Sequence, residues 1–386
     1  MIEGLLSGLF NGISIGAVLL IVALGLAIVF GLMGVINLAH GELMMLGAYT
    51  TYVVQNVFKL MGESVQDYYI WAALPLSFVV AALVGFALER LVIRYLYGRP
   101  LETLLATWGV SLILIQFVRS VNTAMIAGIV LFCLAFFGGK EIPTRFAGLR
   151  RLPQWAVALL AILAAAIATV GGILLNRTDS DFWTKQWFTA RNVDVTAPAW
   201  LRGGIPVTDT FQLPSARLFI IALTIICLLA IYWFLQGSTW GLRIRAVTQN
   251  REMSACLGIP TGYVDALTFA LGSGLAGIAG FAVTLLGSVG PNLGGNYIVD
   301  AFMVVVVGGV GKLVGSIAAA MVIGIITYLV GSGTLALIVT WQPLVDIFTF
   351  FATTSMAKVM VFALIIAFLQ VRPAGIFPQK GRMVDA

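Results

Sequence analysis

Residues 4–41 of the chain read GLLSGLFNGISIGAVLLIVALGLAIVFGLMGVINLAHG and contain no Asp, Glu, Lys or Arg. A helix that spans a lipid bilayer needs about 20 consecutive, mainly apolar residues. The stretch is therefore long enough to cross a membrane once and to begin a second crossing. It predicts that the chain is a helical membrane protein that crosses more than once.

The whole chain shares this scarcity of charge. Of its 386 residues, 22 are Lys or Arg and 16 are Asp or Glu, so 10% are charged and 60% are hydrophobic. Soluble domains carry about 25% charged residues. The composition excludes a cytosolic enzyme, a disordered chain and a nucleic-acid binder, and it makes the lipid bilayer a partner. The 42 glycines also favour a membrane protein, since glycine lets membrane helices approach closely.

Apolar segments bounded by charges, glycine and polar residues locate the predicted spans. They predict an all-α polytopic integral membrane protein with about 9 to 11 transmembrane helices. Segments 123–138 and 298–311 are short, so either is also compatible with a half-span or a re-entrant segment. The eleven predicted spans are 13–35, 43–60, 70–91, 102–119, 123–138, 154–175, 216–235, 263–286, 298–311, 313–330 and 355–370.

The distribution of Lys and Arg predicts the orientation, because cytoplasmic loops carry the excess of both residues. With eleven spans, four basic groups fall on one side, which places the N-terminus in the periplasm and the C-terminus in the cytoplasm. Segment 176–215 then lies outside. The four groups are Arg90, Arg94 and Arg99; Lys140, Arg145, Arg150 and Arg151; Arg243, Arg245 and Arg251; and Arg372, Lys380 and Arg382.

The sequence offers no set of residues for catalysis, metal binding or a cofactor. The three cysteines are scattered, His40 is the only histidine, and GGVGKL at 308–313 lacks the spacing and the Ser/Thr of a phosphate loop. That string is interpreted as a tight turn between helices. Asp265 and Asp300 are interpreted as carboxylates near helix starts. So little charge at the membrane centre favours a neutral solute and a source of energy outside the chain.

Residues 34–49, GVINLAHGELMMLGAY, join the first two spans with very few residues. Non-helical backbone at membrane depth is tolerated only where it lines a cavity or is buried in protein. One interpretation places Asn37, His40 and Glu42 beside a solute pathway. The other is a cytoplasmic-side turn in which Asn37 caps a helix and Glu42 lies in its first turn.

A polar loop, residues 240–261, follows the seventh predicted span. Residues 246–257 predict a short helix ended by Gly258 and Pro260. Such a helix suits docking of an ATPase, and the alternative is an amphipathic helix at the membrane surface. Farther along, Gly272, Ala276 and Gly280 recur every fourth residue, which predicts close helix contacts within the chain or with a second permease. Asn292 and Asn296, in the loop that follows, are candidates for the pathway entrance.

Several strings together resemble a known family. GLAIVFGLMGVINLAHGELMMLGAY (25–49), GLRIRAVTQNREMSACLGI (241–259) and VDAFMVVVVGGVGKLVGS (299–316) are similar to the branched-chain amino acid permease family of ABC importers. Within that family, the B-type subunit of urea-type transporters is most similar to RPLETLLATWGVSLIL (99–114), IPTGYVDALTFALGSGLAGIAG (259–280) and VGPNLGGNYIVDAF (289–302).

The resemblance implies a single permease domain over 1–386 in the bacterial inner membrane. The sequence departs from the family pattern at 122–189, and this departure predicts an inserted transmembrane hairpin. The implied partners are a second related permease subunit, two cytoplasmic ATP-binding subunits that hydrolyse ATP, and a periplasmic solute-binding protein. The implied coupling loop is 236–262, and its candidate contact residues are Arg243, Arg245, Ala246, Asn250, Ala255 and Gly258.

The resulting hypothesis is an importer of urea or short-chain amides. The alternatives are a branched-chain amino acid permease of the same kind and a stand-alone urea channel or secondary carrier. Neutral polar residues suit the wall of a pathway for urea, although each also suits a helix-packing role. These wall candidates are Thr107, Ser111, Gln116, Thr268 and Ser273.

Overall fold

The computed structural model describes residues 2–146, 154–177, 183, 187–188, 192–208, 211–334, 342–373 and 375–377. The first part of the chain forms α1 (Ile2–Met33), α2 (His40–Met61), α3 (Glu63–Gln66), α4 (Tyr69–Leu91), α5 (Pro100–Ser120), α6 (Thr123–Phe146) and α7 (Gln154–Asn176). A short antiparallel hairpin, β1 (Gly204–Thr208) and β2 (Phe211–Pro214), follows. The remainder forms α8 (Ser215–Gly237), α9 (Thr239–Gln249), α10 (Arg251–Cys256), α11 (Thr261–Thr284), α12 (Leu293–Gly308), α13 (Leu313–Gly331), α14 (Gln342–Phe350) and α15 (Thr354–Val371).

The predicted fold class is confirmed, because each of the eleven predicted segments overlaps a helix. Among the described residues, six helices are long and apolar enough to cross a membrane: Leu6–Met33, Tyr69–Tyr95, Pro100–Ser120, Ser215–Gly237, Thr261–Thr284 and Leu313–Gly331. The same residues include four shorter apolar helices at Thr123–Phe132, Ile162–Leu175, Leu293–Gly308 and Ser355–Val371. The number of crossings, 9 to 11, stays a prediction.

Contacts divide the chain into two units. The first unit comprises residues 1–112 and 193–386, and the second comprises residues 113–192. In the second unit, α6 packs on α7, and the indole Nε1 of Trp187 donates a hydrogen bond to Thr123 Oγ1 at 2.9 Å. The residues of this unit include 122–189. That 122–189 is an insertion stays a prediction. Arg150 and Arg151 lie outside the described residues.

The centre of the first unit is formed by α1 and α11. In the most apolar stretch of each, 83% of residues are buried, against 22–39% in the other four long spans. A helix that is hydrophobic all round is stable only when it is surrounded by protein or lipid. Accordingly α11 packs against α1, α2 and α4, while α1 also packs against α8, α12 and α13.

The predicted row of small residues on α11 makes these contacts possible. A Cβ atom at Gly272 would lie 2.7 Å from the carbonyl oxygen of Gly25 on α1. Gly277 lies against the Ser77 backbone of α4, and Gly280 lies against the Met44 backbone of α2. The prediction of close helix contacts within the chain is thus confirmed.

The string GGVGKL forms the tight turn that its glycines predict. Gly309 and Gly311 adopt φ angles of +98° and +79°, a region that favours glycine because it has no Cβ atom. The turn folds α13 back along α12, and Gly315 lies against Gly308.

We call the end of the first unit at which α1 stops and α11 begins the basic end. The guanidinium of Arg90 lies 5.7 Å from the ring of Tyr263, and Arg251 pairs with Asp265, so the first and third predicted basic groups meet there. Lys380 and Arg382 of the fourth group lie outside the described residues.

Candidate functional site

Helix α2 begins in the middle of the first unit. After α1 ends, Gly34 adopts a φ of +68° and residues 34–39 leave the helical path. The ring of His40 then lies against Gly25, with Nε2 at 3.1 Å from the carbonyl oxygen of Val22. Gly25 contacts Gly272, the twelfth residue of α11, which stands about 16 Å from the start of that helix at 1.5 Å per residue. This depth is about half of a 30 Å hydrocarbon core.

Helix α12 begins at the same depth as α2 and runs in the opposite direction. The backbones of Gly41 and Gly294 touch, so the first turns of α2 and α12 meet. With 16 residues, α12 is about 24 Å long, and Phe302 reaches Phe30 near the basic end. This length exceeds half of a 30 Å hydrocarbon core, so the half-span alternative for 298–311 stays a prediction.

Residues 289–291 of the loop before α12 are buried. Val289 pairs with Val193 in an isolated antiparallel β-bridge. The segment that carries Val193 is held in turn by α2 and α4, since Gln55 and Tyr69 both donate to the carbonyl oxygen of Thr196. A strap of residues 193–199 thus covers the end of the unit opposite the basic end.

We define the junction as residues 36–42, residues 293–294, Thr107 and Ser111. Thr107 and Ser111 lie one turn apart on α5 and bond to the non-helical segment and to α2: Leu38 N donates to Thr107 Oγ1 at 3.2 Å, and Ser111 Oγ donates to Glu42 Oε1 at 3.2 Å. Asn37 Oδ1 accepts from Ala39 N at 3.1 Å.

Three buried polar atoms of the junction have no hydrogen-bond partner among the described residues: Asn37 Nδ2, His40 Nδ1 and Glu42 Oε2. Their side chains are at most 2% exposed. An unsatisfied buried polar atom costs about 1–3 kcal/mol, so such atoms are rare and mark strain, catalysis or an absent partner. The first-turn position of Glu42 is favourable, since free N–H groups and the helix dipole stabilise a carboxylate there.

The structure brings five of the predicted pathway residues into one region: Asn37, His40, Glu42, Thr107 and Ser111. The capping alternative for Asn37 is wrong, because the residue before α2 is Ala39 and no side chain caps it. The alternative's first-turn position for Glu42 is correct.

The other five predicted pathway residues lie elsewhere. Gln116, Asn292 and Asn296 are exposed, and Gln116 belongs to the second unit. Thr268 and Ser273 are buried but donate back to Val264 O and Phe269 O of their own helix, which is the packing role.

The two carboxylates interpreted as helix-start residues have specific partners instead. Asp300 is the eighth residue of α12, so the interpretation is wrong there, and its Oδ2 lies 2.7 Å from Lys358 Nζ. Asp265 is the fifth residue of α11 and pairs with Arg251 at 2.6 Å. Both partners are distant in sequence, so no local pattern indicated them.

The predicted coupling loop forms two helices, which corrects the single helix expected over 246–257. The break is at Asn250, whose backbone is extended and whose Oδ1 accepts from Met253 N at 2.9 Å. Ile244 and Val247 anchor α9 in a buried cluster with Val264. Arg245 and Ala246 on α9 are consequently half-buried, whereas Arg243 is exposed.

Helix α10 is the exposed part of this segment. Ser254 is its one buried residue, while Asn250, Ala255 and Gly258 are exposed. Large apolar side chains also face outward, with Met253 59% and Leu257 76% exposed. Gly258 ends the helix with a φ of +80°.

A family model described as branched-chain amino acid transport system, permease component, matches residues 8–369. The chain belongs to this permease family. This match confirms the family resemblance predicted from the sequence. It also confirms that the chain is a transport component and a multi-pass membrane protein. The urea-type assignment has no support from this match.

Curated proteins similar to this permease include the following three. The high-affinity branched-chain amino acid transport system permease protein LivH of Escherichia coli (strain K12) is 24% identical over 96% of this chain and 94% of its own. The corresponding protein BraD of Pseudomonas aeruginosa is 22% identical over 83% and 84%. A probable permease protein LivH of Methanocaldococcus jannaschii is 25% identical over 81% and 78%. No solved structure matches this permease significantly.

Proposed function

We propose that this permease is the membrane-spanning subunit of an ATP-driven importer and that its solute is a branched-chain amino acid. The match of the family model to residues 8–369 carries the proposal. The names of the three relatives, all branched-chain amino acid transport permeases, support the solute. We therefore prefer a branched-chain amino acid to urea as the proposed solute.

The exposed helix α10 supports docking of a cytoplasmic ATP-binding subunit at the basic end. Its outward apolar side chains, Met253 and Leu257, suit the centre of a protein interface, and exposed Arg243 suits a polar rim. Asn250, Ala255 and Gly258 complete this surface, whereas half-buried Arg245 and Ala246 support it from α9. A second permease subunit, a second ATP-binding subunit and a periplasmic solute-binding protein would complete the importer. The N-terminus would lie in the periplasm and the C-terminus in the cytoplasm.

The junction supports recognition of the solute. Asn37 offers an N–H donor and Glu42 offers a carboxylate oxygen, and both lack a protein partner. An amino acid carries a carboxylate for the donor and an ammonium group for the acceptor.

Urea is the second candidate solute. Its carbonyl oxygen and N–H groups fit the same free donor and acceptor of Asn37 and Glu42. The strings at 99–114 and 289–302 that resemble urea-type permeases keep this candidate in the test.

The test is uptake by the complete complex. The permease, its second permease subunit and the ATP-binding subunits are reconstituted in vesicles with ATP inside and the binding protein outside. We expect ATP-dependent accumulation of radiolabelled leucine that valine competes away and urea does not. Accumulation of urea alone would overturn the solute, and urea flux through this permease alone without ATP would overturn the importer.

A further inference from the structure

Arg251, the first residue of helix α10, contacts two other elements of the first unit. Arg251 Nη2 lies 2.6 Å from Asp265 Oδ2 on α11. Its guanidinium also lies 4.7 Å from the centre of the Tyr97 ring, which is a cation–π distance. The side chain of Asp265 is 6% exposed and that of Arg251 is 47% exposed, so the arginine reaches from the surface to a buried carboxylate.

Tyr97 continues this contact toward the interior. It lies in the linker between α4 and α5, and its hydroxyl donates to Glu89 Oε1 at 3.3 Å. Glu89 is fully buried at the end of α4. Burial raises the pKa of Tyr97 well above its ordinary range, so the hydroxyl keeps its proton at neutral pH and remains a donor.

The same linker leads to the junction. Thr103 in the first turn of α5 donates to the carbonyl oxygen of Leu96, one residue before Tyr97. Thr107 and Ser111 follow at one-turn intervals on α5 and bond to Leu38 and Glu42. A displacement of Tyr97 therefore acts on the start of the helix that holds the junction.

We propose that Arg251 is a positioning residue that transmits the movement of α10 to α5 through Tyr97. Asp265 anchors its guanidinium on α11, and the Tyr97 ring makes contact with its face. The proposal rests on the proposed docking of an ATP-binding subunit to α10. It assigns the coupling between ATP hydrolysis and solute movement to a contact inside this chain as well as to the docking surface.

The test uses the complete complex and measures solute transported per ATP hydrolysed. In Arg251→Gln and in Tyr97→Leu we expect ATP hydrolysis to continue while solute per ATP falls roughly fivefold or more, the usual lower range of a coupling free energy. The exchange Arg251→Asp with Asp265→Arg should restore part of the loss, because it restores the ion pair. The matched control is Arg99→Gln, which breaks an exposed pair with Glu102 in the same linker region.

Each outcome separates the two proposals. Failure of the unaltered complex to move solute with ATP counts against the proposed function. If the unaltered complex is active and Tyr97→Leu keeps the normal ratio of solute to ATP, the role of Arg251 is overturned, even when Arg251→Gln fails to assemble. A loss of the ratio in Arg99→Gln equal to that in Arg251→Gln overturns it as well.

Discussion

At the scale of single residues, Glu42 decides how the junction is interpreted. One carboxylate oxygen accepts from Ser111 on another helix, and the other oxygen has no partner among the described residues. A carboxylate removed from water depends on its remaining hydrogen bonds, which are stronger in a medium of low dielectric. The Ser111 hydroxyl is thus expected to stabilise the fold as well as to hold Glu42 in position.

We predict that Ser111→Ala destabilises the permease by about 1–3 kcal/mol, because it leaves a second carboxylate oxygen of Glu42 unpaired. The measurement is the apparent melting temperature in detergent. Ser120→Ala is the matched control, since Ser120 is exposed on the same helix and its hydroxyl donates to Gln116 O. Equal melting temperatures of the two variants would contradict the role of the Ser111 bond.

At the scale of helices, glycine sets how closely α11 approaches its neighbours. Gly277 lies against the Ser77 backbone of α4, so a methyl group there has no room. Gly109 on α5 has no atom of another element within 4 Å of its Cβ position. The two glycines are therefore opposite cases within one chain.

We predict that Gly277→Ala destabilises the fold by about 1–3 kcal/mol through overpacking. In contrast, Gly109→Ala should leave the stability unchanged or raise it by up to about 1 kcal/mol, because alanine is the better helix former. Thermal unfolding in detergent measures both variants. A Gly277→Ala variant as stable as Gly109→Ala would show that α4 and α11 can separate at no cost.

At this scale, the helices could be predicted from the sequence, whereas a helix break and two ion pairs could not. Each predicted span overlaps a helix, because crossing lipid requires a mainly apolar composition over a whole segment. The break at Asn250 escaped prediction, since it depends on Ile244 and Val247 packing against Val264. The ion pairs of Asp265 and Asp300 escaped for the same reason: their partners come from other elements.

At the scale of the whole molecule, the second unit has hydrogen bonds of its own around the start of α6. Asn122 caps α6 by accepting from Met125 N at 2.8 Å, and Trp187 N donates to Val121 O at 3.0 Å. Two added spans that run across the membrane and back leave the orientation of later spans unchanged. A break in family resemblance predicts an insertion at 122–189, but composition alone gives no boundary for it.

We predict that deleting residues 122–189 leaves the first unit folded and the C-terminus on the same side of the membrane. The measurements are a monodisperse peak in detergent and the activity of a reporter fused to the C-terminus. The full-length chain with the same reporter is the control. A reporter signal on the opposite side would show that 122–189 contributes an odd number of crossings.

The contact of Gly41 with Gly294 has a consequence for biosynthesis. The ribosome releases α1 and α2 long before it reaches α11 and α12, so His40 and Glu42 enter the membrane before their covering helices exist. Until then, the polar groups of α1 and α2 that are buried in the folded unit face lipid, water or the translocation machinery. Assembly of the first unit is completed only when the later half of the chain inserts and closes over the start of α2.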